Sequence, residues 1–163
     1  MTSLSVLPMM PEHWKEVSHI YQLGMDTGIA TFETRVPDKD SWFARHLEFA
    51  RLVAVQNNAV VGWAALSPVS TRLVYRGVAE VSIYVHPATA RQGVGDALMK
   101  TLIDESEKHG VWTLHAAVFP ENTSSLRLHI KNGFRILGIR ERIAKRKGQW
   151  YDNVLLERRS SKF

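Results

Sequence analysis

The sequence predicts an α/β (α+β) fold: a mixed, mostly antiparallel twisted sheet with one central parallel strand pair, flanked by helices. Three observations carry this. The apolar strand Val81-Ser82-Ile83-Tyr84-Val85 leads through a basic, glycine-rich turn, Arg91-Gln92-Gly93-Val94-Gly95, into an amphipathic helix. A second strand, Thr113 to Phe119, follows that helix, so Glu80 to Phe119 reads as a βαβ unit whose two strands run parallel. On either side lie pairs of alternating apolar segments joined by turn residues, which read as antiparallel hairpins.

The elements follow in order. Ser3 to Met9 reads as a first strand. Pro11-Glu12 opens a helix, because proline's fixed φ and missing N–H suit a first turn. Trp14, Val17, Ile20, Tyr21 and Met25 continue it at helical spacing. Thr27 to Pro37 is a loop carrying Phe32 and Glu33. Asp38 or Asp40 caps a second helix through Trp42, Phe43, Leu47 and Phe49. Arg51 to Gln56 and Ala59 to Leu66 form a hairpin about Asn57-Asn58, and Ser67 to Gly77 is a polar connection. Glu80 to Val85 is the central strand, and Asp96 to His109 a helix stopped by Gly110. After the strand Thr113 to Phe119, Asn122 to Lys131 is a helix ending at Asn132-Gly133. Phe134 to Ile143 and Tyr151 to Arg158 form the last hairpin, joined by Lys147-Gly148-Gln149.

Composition narrows the class. A chain of 163 residues supplies one core and is short for two, so residues 1–163 read as a single domain. With 45% apolar and 23% charged residues it is globular. No cysteine is present, which removes disulfide and thiolate chemistry. There is no apolar run of membrane-spanning length and no basic-then-apolar leader, so a soluble cytoplasmic protein without a membrane partner is expected. The net charge of +5 is concentrated: Arg135 to Lys162 holds nine Lys and Arg against three Asp and Glu. That stretch reads as a solvated basic face, as a field drawing in an anionic ligand, or as a nucleic-acid patch. The last reading lacks any recognisable binding module, so nucleic acid is not an expected partner. The histidines show no ligand spacing such as H-E-x-x-H, and no metal is assigned.

The glycine-rich turn carries chemistry. Its backbone N–H groups can converge on one point, and a helix N-terminus behind it adds partial positive charge. A phosphate or pyrophosphate cradle is expected there. It is not a P-loop, since G-x-x-x-x-G-K-[ST] is missing. It is not a dinucleotide fingerprint either, because Leu98 stands where a third glycine is needed.

Arg91, Gln92, Gly93 and Gly95, placed after E-V-S-I-Y-V-H-P and before A-L-M-K-T-L-I, resemble the acetyl-CoA loop of the GNAT superfamily of N-acetyltransferases. In that superfamily the parallel strands splay apart, and the pantetheine arm of acetyl-CoA lies in the gap against the free backbone of the first strand. The resemblance therefore implies the GNAT fold and acetyl-CoA as co-substrate. It places Ile83, Tyr84 and Val85 along the arm, and Arg91, Gln92, Gly93, Val94, Gly95 and Asp96 at the pyrophosphate. Asn122 and Ser125 would lie near the arm at the start of the next helix. Pro120-Glu121-Asn122 also reads as a simple helix cap, and the two roles use different atoms.

Further segments resemble the subgroup that acetylates phosphinothricin and related amino acids. They are Thr31-Phe32-Glu33 followed by Trp42, the strand from Tyr75 to Val85, the helix-to-strand element Ser125 to Phe134, and Gly148-Gln149-Trp150-Tyr151-Asp152. Many superfamily members carry a Tyr where this chain has His129; the subgroup carries His. The resemblance implies Glu80 and His129 as a catalytic pair, and a homodimer.

Acetyl transfer needs a neutral amine, yet amines are mostly protonated at neutral pH, so a base is required. Glu80 is the expected base, acting through water. It is the carboxylate at the start of the central strand, among Val78, Ala79, Val81 and Ile83, and apolar surroundings raise a carboxylate's pKa. Glu80, Ser82 and Tyr84 share one strand face. His129 reads either as its partner in proton handling or as a structural histidine. For an amino-acid-like substrate, Arg72 and Arg76 would take the acidic groups, and Phe32 and Tyr75 would wall the pocket. Each also reads as an ordinary surface or core side chain. Two other function classes stay open: a GNAT enzyme acting on a protein N-terminus, lysine or polyamine, and a nucleic-acid-binding module built on the basic tail.

Overall fold

The structure, a computed structural model, describes residues 3–163. Side-chain alternation along Ala59–Pro68 (β3) sets the two faces of the sheet. Trp63 and Ala65 turn to one side, where Trp14–Asp26 (α1) buries Val17, Ile20 and Tyr21. Lys39–Arg45 (α2) adds Trp42 to the same cluster. Of the two caps the sequence offers for α2, Asp38 is the one used: it accepts from the Ser41 N–H at 2.9 Å. Ala64 and Leu66 turn to the other side, where Val94–Lys108 (α3) packs Leu98, Met99, Leu102 and Ile103.

Leu4–Pro8 (β1), Leu52–Gln56 (β2), β3, Val78–Val85 (β4), Thr113–Val118 (β5), Arg135–Arg146 (β6) and Gln149–Arg159 (β7) form one sheet. Its order is β1-β2-β3-β4-β5-β7-β6. Thr123–Lys131 (α4) lies between β5 and β6 in the chain. The β4–β5 pair is parallel and the other neighbours are antiparallel, as the sequence predicts. β4 pairs with β3 from Ala79↔Pro68 to Val85↔Gly62. Against β5 it pairs only Val78↔Thr113, Ala79↔Leu114 and Glu80↔His115. Beyond Glu80 the two strands part, and β5 gives its other edge to β7 from Thr113↔Arg159 to Val118↔Val154.

Three elements differ from the sequence reading. The second helix stops at Arg45 instead of running through Phe49. His46 is extended, at φ −108° and ψ 147°, and the Leu47 N–H donates to the Leu66 carbonyl at 2.8 Å. The end of β3 thus recruits the chain that would have continued the helix. Pro11–His13 forms a separate 3-10 turn ahead of α1. The last hairpin is longer than expected and turns on Lys147 and Gly148, both at positive φ (51° and 77°), as a two-residue hairpin turn requires. Its register shifts between Arg140 and Ala144. At that bulge Arg142 takes φ 49°, and its N–H donates to Asp152 Oδ1 at 2.7 Å. Among the described residues no helix is long and apolar enough to cross a membrane.

Candidate active site

A groove of about 1350 Å³ opens where β4 and β5 part. Val81–Val85 of β4 and residues 116–119 form its facing sides, and the loop of Thr27 to Glu33 covers one end. The β4 backbone faces it with unpaired groups. The His86 N–H donates to the Val61 carbonyl at 2.8 Å, on the β3 side. Strand alternation then turns the N–H and C=O of Ile83 and Val85 the opposite way, into the gap. An extended ligand laid there meets a ready strand edge.

The start of α3 lies beside this edge. The first helical bond runs from the Ala97 N–H to the Gly93 carbonyl at 3.0 Å, which leaves the N–H groups of Val94, Gly95 and Asp96 without helical partners. Gly93 takes φ 82°, and a Cβ there would meet nothing within 4 Å. Its requirement is therefore conformational, not steric. At Gly95 a Cβ would come within 3.2 Å of Leu128 Cδ2 and 3.6 Å of Val85 Cγ2, so a side chain would push α3 off α4 and β4. Arg91, Arg127 and Lys131 also line this end. Gln92 does not: its amide turns back to the Ala88 carbonyl at 3.5 Å. The Asp96 carboxylate is held by Lys100 at 2.6 Å, by Asn132 Nδ2 at 3.1 Å and by Lys131 at 3.5 Å. The Lys100 contact, then the Asn132 one, keeps its pKa below the ordinary carboxylate value. The Asp96 side chain thus ties α3 to the end of α4, while its N–H stays without a helical partner.

At the start of α4, Asn122 Oδ1 accepts from the Ser125 N–H at 3.2 Å, and its Nδ2 donates to the Ile29 carbonyl at 3.4 Å. The cap thus also ties the Thr27 to Glu33 loop to α4. One turn on, His129 is 2% exposed, yet its ring contributes to the groove lining. Its Nδ1 lies 2.7 Å from the Ser125 carbonyl, a pure acceptor, so Nδ1 carries the proton and Nε2 the lone pair. The ring also stands edge-on to Phe134 at 4.9 Å. Burial lowers its pKa below the ordinary 6.5, so it is neutral at neutral pH. Tyr84 also lines the groove but stacks on Trp63 at 4.7 Å, and burial raises its hydroxyl pKa.

Glu80 lines the groove at the point where the strands part. Its surroundings differ from the sequence expectation in one respect. Its neighbours Ala79 and Val81 are buried on the opposite strand face, whereas Glu80 itself is exposed. Sequence adjacency does not wrap a strand carboxylate in apolar atoms, because alternation sends those side chains away.

On the far wall Phe32 packs on Phe119 at 4.5 Å and near Tyr151 at 6.0 Å. Arg146 sits over these rings, 4.7 Å from that of Tyr151. It donates to the carbonyls of Thr31 at 3.0 Å and Gly28, which fixes the loop carrying Phe32. The expected substrate residues Arg72, Tyr75 and Arg76 lie outside the groove lining. They belong to an exposed connection with a 3-10 turn at Leu73–Tyr75, and Arg76 lies over Trp112 at 5.5 Å. In their place the groove holds Arg140 and Asn153, which the sequence reading missed. Strand alternation was the available signal, but the bulge after Arg140 hides the register. Among the described residues no group of three or more His, Asp and Glu could hold a metal ion.

The fold that carries this arrangement, and the sequence that forms it, have close relatives. The sequence profile of the Acetyltransferase (GNAT) family matches residues 14–134. The phosphinothricin N-acetyltransferase of Alcaligenes faecalis is 34% identical over 149 residues, 87% of this chain and 75% of that one. The L-methionine sulfoximine/L-methionine sulfone acetyltransferase of Salmonella typhimurium is 30% identical over 146 residues, 86% of this chain and 85% of its own length. The Salmonella typhimurium acetyltransferase yncA, solved with its cofactor acetyl-CoA, superposes with a TM-score of 0.90 at 26% identity, covering 98% of this chain and 95% of that one. A profile match over most of the chain, joined to relatives that align along nearly its full length, leaves one assignment: the chain belongs to the acetyltransferase (GNAT) family and is an acyltransferase.

Proposed function

We propose that the chain transfers an acetyl group from acetyl-CoA to the amine of a small amino-acid-like substrate of the phosphinothricin, methionine sulfoximine or methionine sulfone type. The observation that carries this reading is the β4–β5 splay. It supplies, in order along one groove, free N–H groups at the start of α3, the free edge of Val85 and Ile83, and the Glu80 carboxylate. The relatives' names supply the substrate class.

In this reading the cradle of residues 91–96 holds the pyrophosphate, with Asn122 and Ser125 beside the arm. The N–H groups of Ile83 and Val85 hold the arm and stabilise the tetrahedral oxyanion. Glu80, through a water, accepts the ammonium proton, so that the neutral amine attacks the thioester carbon. The tetrahedral adduct then collapses: the C–S bond breaks, the attacking nitrogen gives up its remaining extra proton, and that proton ends on the leaving thiolate, which departs as the CoA thiol. His129 enters as a neutral ring with Nε2 as acceptor, in proton handling beside Glu80. Phe32 packs against the substrate. The reading includes a cytoplasmic location and a homodimer. For the dimer, edge strand β6 exposes Ile136, Leu137, Ile139 and Ile143, the kind of apolar edge a second copy covers.

The test is a thiol-release assay with acetyl-CoA and a panel of amines: phosphinothricin, methionine sulfoximine, methionine sulfone, free amino acids, spermidine and a lysine peptide. Turnover of the first three, with none of spermidine or peptide, supports the reading. Turnover of spermidine or peptide alone overturns the substrate class and leaves the family in place.

A further inference from the structure

Substrate recognition in an amino-acid acetyltransferase needs a cation for the carboxylate, and the groove offers few free ones. Lys131 is paired with Asp96, and Arg146, which is not part of the lining, is held by the carbonyls of Gly28 and Thr31. Arg91 and Arg127 line the cradle end with residues of α3 and α4. Those two are unpaired as well among the described residues but belong to that end, whereas Arg140 comes from β6. It lines the groove, is exposed, and makes no hydrogen bond, ion pair or ring contact among the described residues. Its Cα partner across the β6–β7 ladder is Asn153, so the two side chains stand next to one another on one sheet face. Asn153 also lines the groove and is 9% exposed, and its Oδ1 is buried without a partner. A buried amide oxygen left unsatisfied costs about 1–3 kcal/mol, and of the buried unpaired side-chain atoms among the described residues Asn153 Oδ1 is the one on a groove-lining residue.

We propose that Arg140 and Asn153 form the subsite that selects a carboxylate-bearing amine. The guanidinium takes the substrate carboxylate through its planar fork, and Asn153 Oδ1 accepts an N–H from the substrate's amino group. The pair does the work the sequence reading gave to Arg72 and Arg76. The proposal rests on the amino-acid substrate reading above and adds to it the residues that read the carboxylate.

The test compares methionine sulfone with the same amine lacking its carboxyl group, in the wild type, Arg140→Met, Arg140→Lys and Asn153→Val. Arg140→Met is expected to raise the KM for the sulfone about tenfold or more, with a smaller change in kcat, and to cut the preference for the carboxylated amine by a similar factor. Arg140→Lys restores part of that preference, because the charge remains while the fork is lost. Asn153→Val raises the KM of the sulfone about fivefold. Equal losses on both amines, or an unchanged sulfone KM in Arg140→Met, overturn the subsite. If the wild type acetylates no carboxylated amine, the substrate reading itself falls and the subsite with it, and the wild-type arm alone shows this.

Discussion

Glu80 and His115 are the last Cα partners of the parallel strands, so the Glu80 carboxylate stands where the sheet begins to open. One residue serves as both the end of a ladder and the head of a groove. A base placed there meets the amine at the closed end, while a long ligand extends along the open edge.

The Glu80→Gln variant tests this placement. It is expected to lower kcat by about 10²–10⁴ while the acetyl-CoA dissociation constant stays within about threefold. Rate profiles from about pH 6 to 9 check the role: activity equal to the wild type throughout would remove the base.

Gly93→Val tests the cradle. A β-branched residue at φ 82° costs about 1–2 kcal/mol or more in backbone strain, yet meets no neighbour. The fold is expected to survive, by circular dichroism, with acetyl-CoA affinity reduced at least about tenfold by calorimetry. Unchanged affinity removes the cradle.

Arg146→Ala frees the loop that carries Phe32. The loss of two charge-assisted bonds to the carbonyls of Thr31 and Gly28 is expected to lower stability by about 1–3 kcal/mol in urea unfolding. The amine KM should rise more than the acetyl-CoA KM, because in the proposed function Phe32 of this loop packs against the amine substrate. Equal effects on both constants would show that the loop does not belong to the amine site.

Burial depresses the pKa of both His46 and His129 below the ordinary 6.5. The unfolded chain therefore binds protons at a higher pH than the folded one. Stability is full above 6.5 and falls as the pH drops below it. Thermal melting between about pH 7 and pH 5 should show this decline, and His129→Gln should make it shallower. Identical slopes in variant and wild type would mean that His129 takes its proton as easily folded as unfolded.

Local pattern revealed most of the architecture. The turn from Arg91 to Gly95 names its own strand and helix, because glycine spacing and apolar runs are local signals. The βαβ crossover fixes parallel pairing before any contact is seen. What was not legible depends on non-local register. Counting back from the Lys147-Gly148 turn in a regular ladder sets Arg142 opposite Asn153; the bulge sets Arg140 there instead. Asp152, read from sequence as part of a motif, is the residue that holds the bulge. Likewise, Arg72 and Arg76 are near Glu80 in the chain, but an exposed turn carries them away from the groove. The end of α2 at His46 coincides with the Leu47 N–H pairing to the Leu66 carbonyl of β3, a partner far along the chain.

Three residue pairs join the first four strands to the last three. By hydrogen bonding the sheet is two leaves joined by a short ladder over one shared core, and the free edge runs along Val81, Ile83 and Val85. A strand-shaped ligand along Ile83 and Val85 would extend that short ladder, so binding is expected to slow amide exchange on this edge. Amide exchange at Ile83 and Val85, with and without acetyl-CoA, measures how far one ligand ties the leaves together.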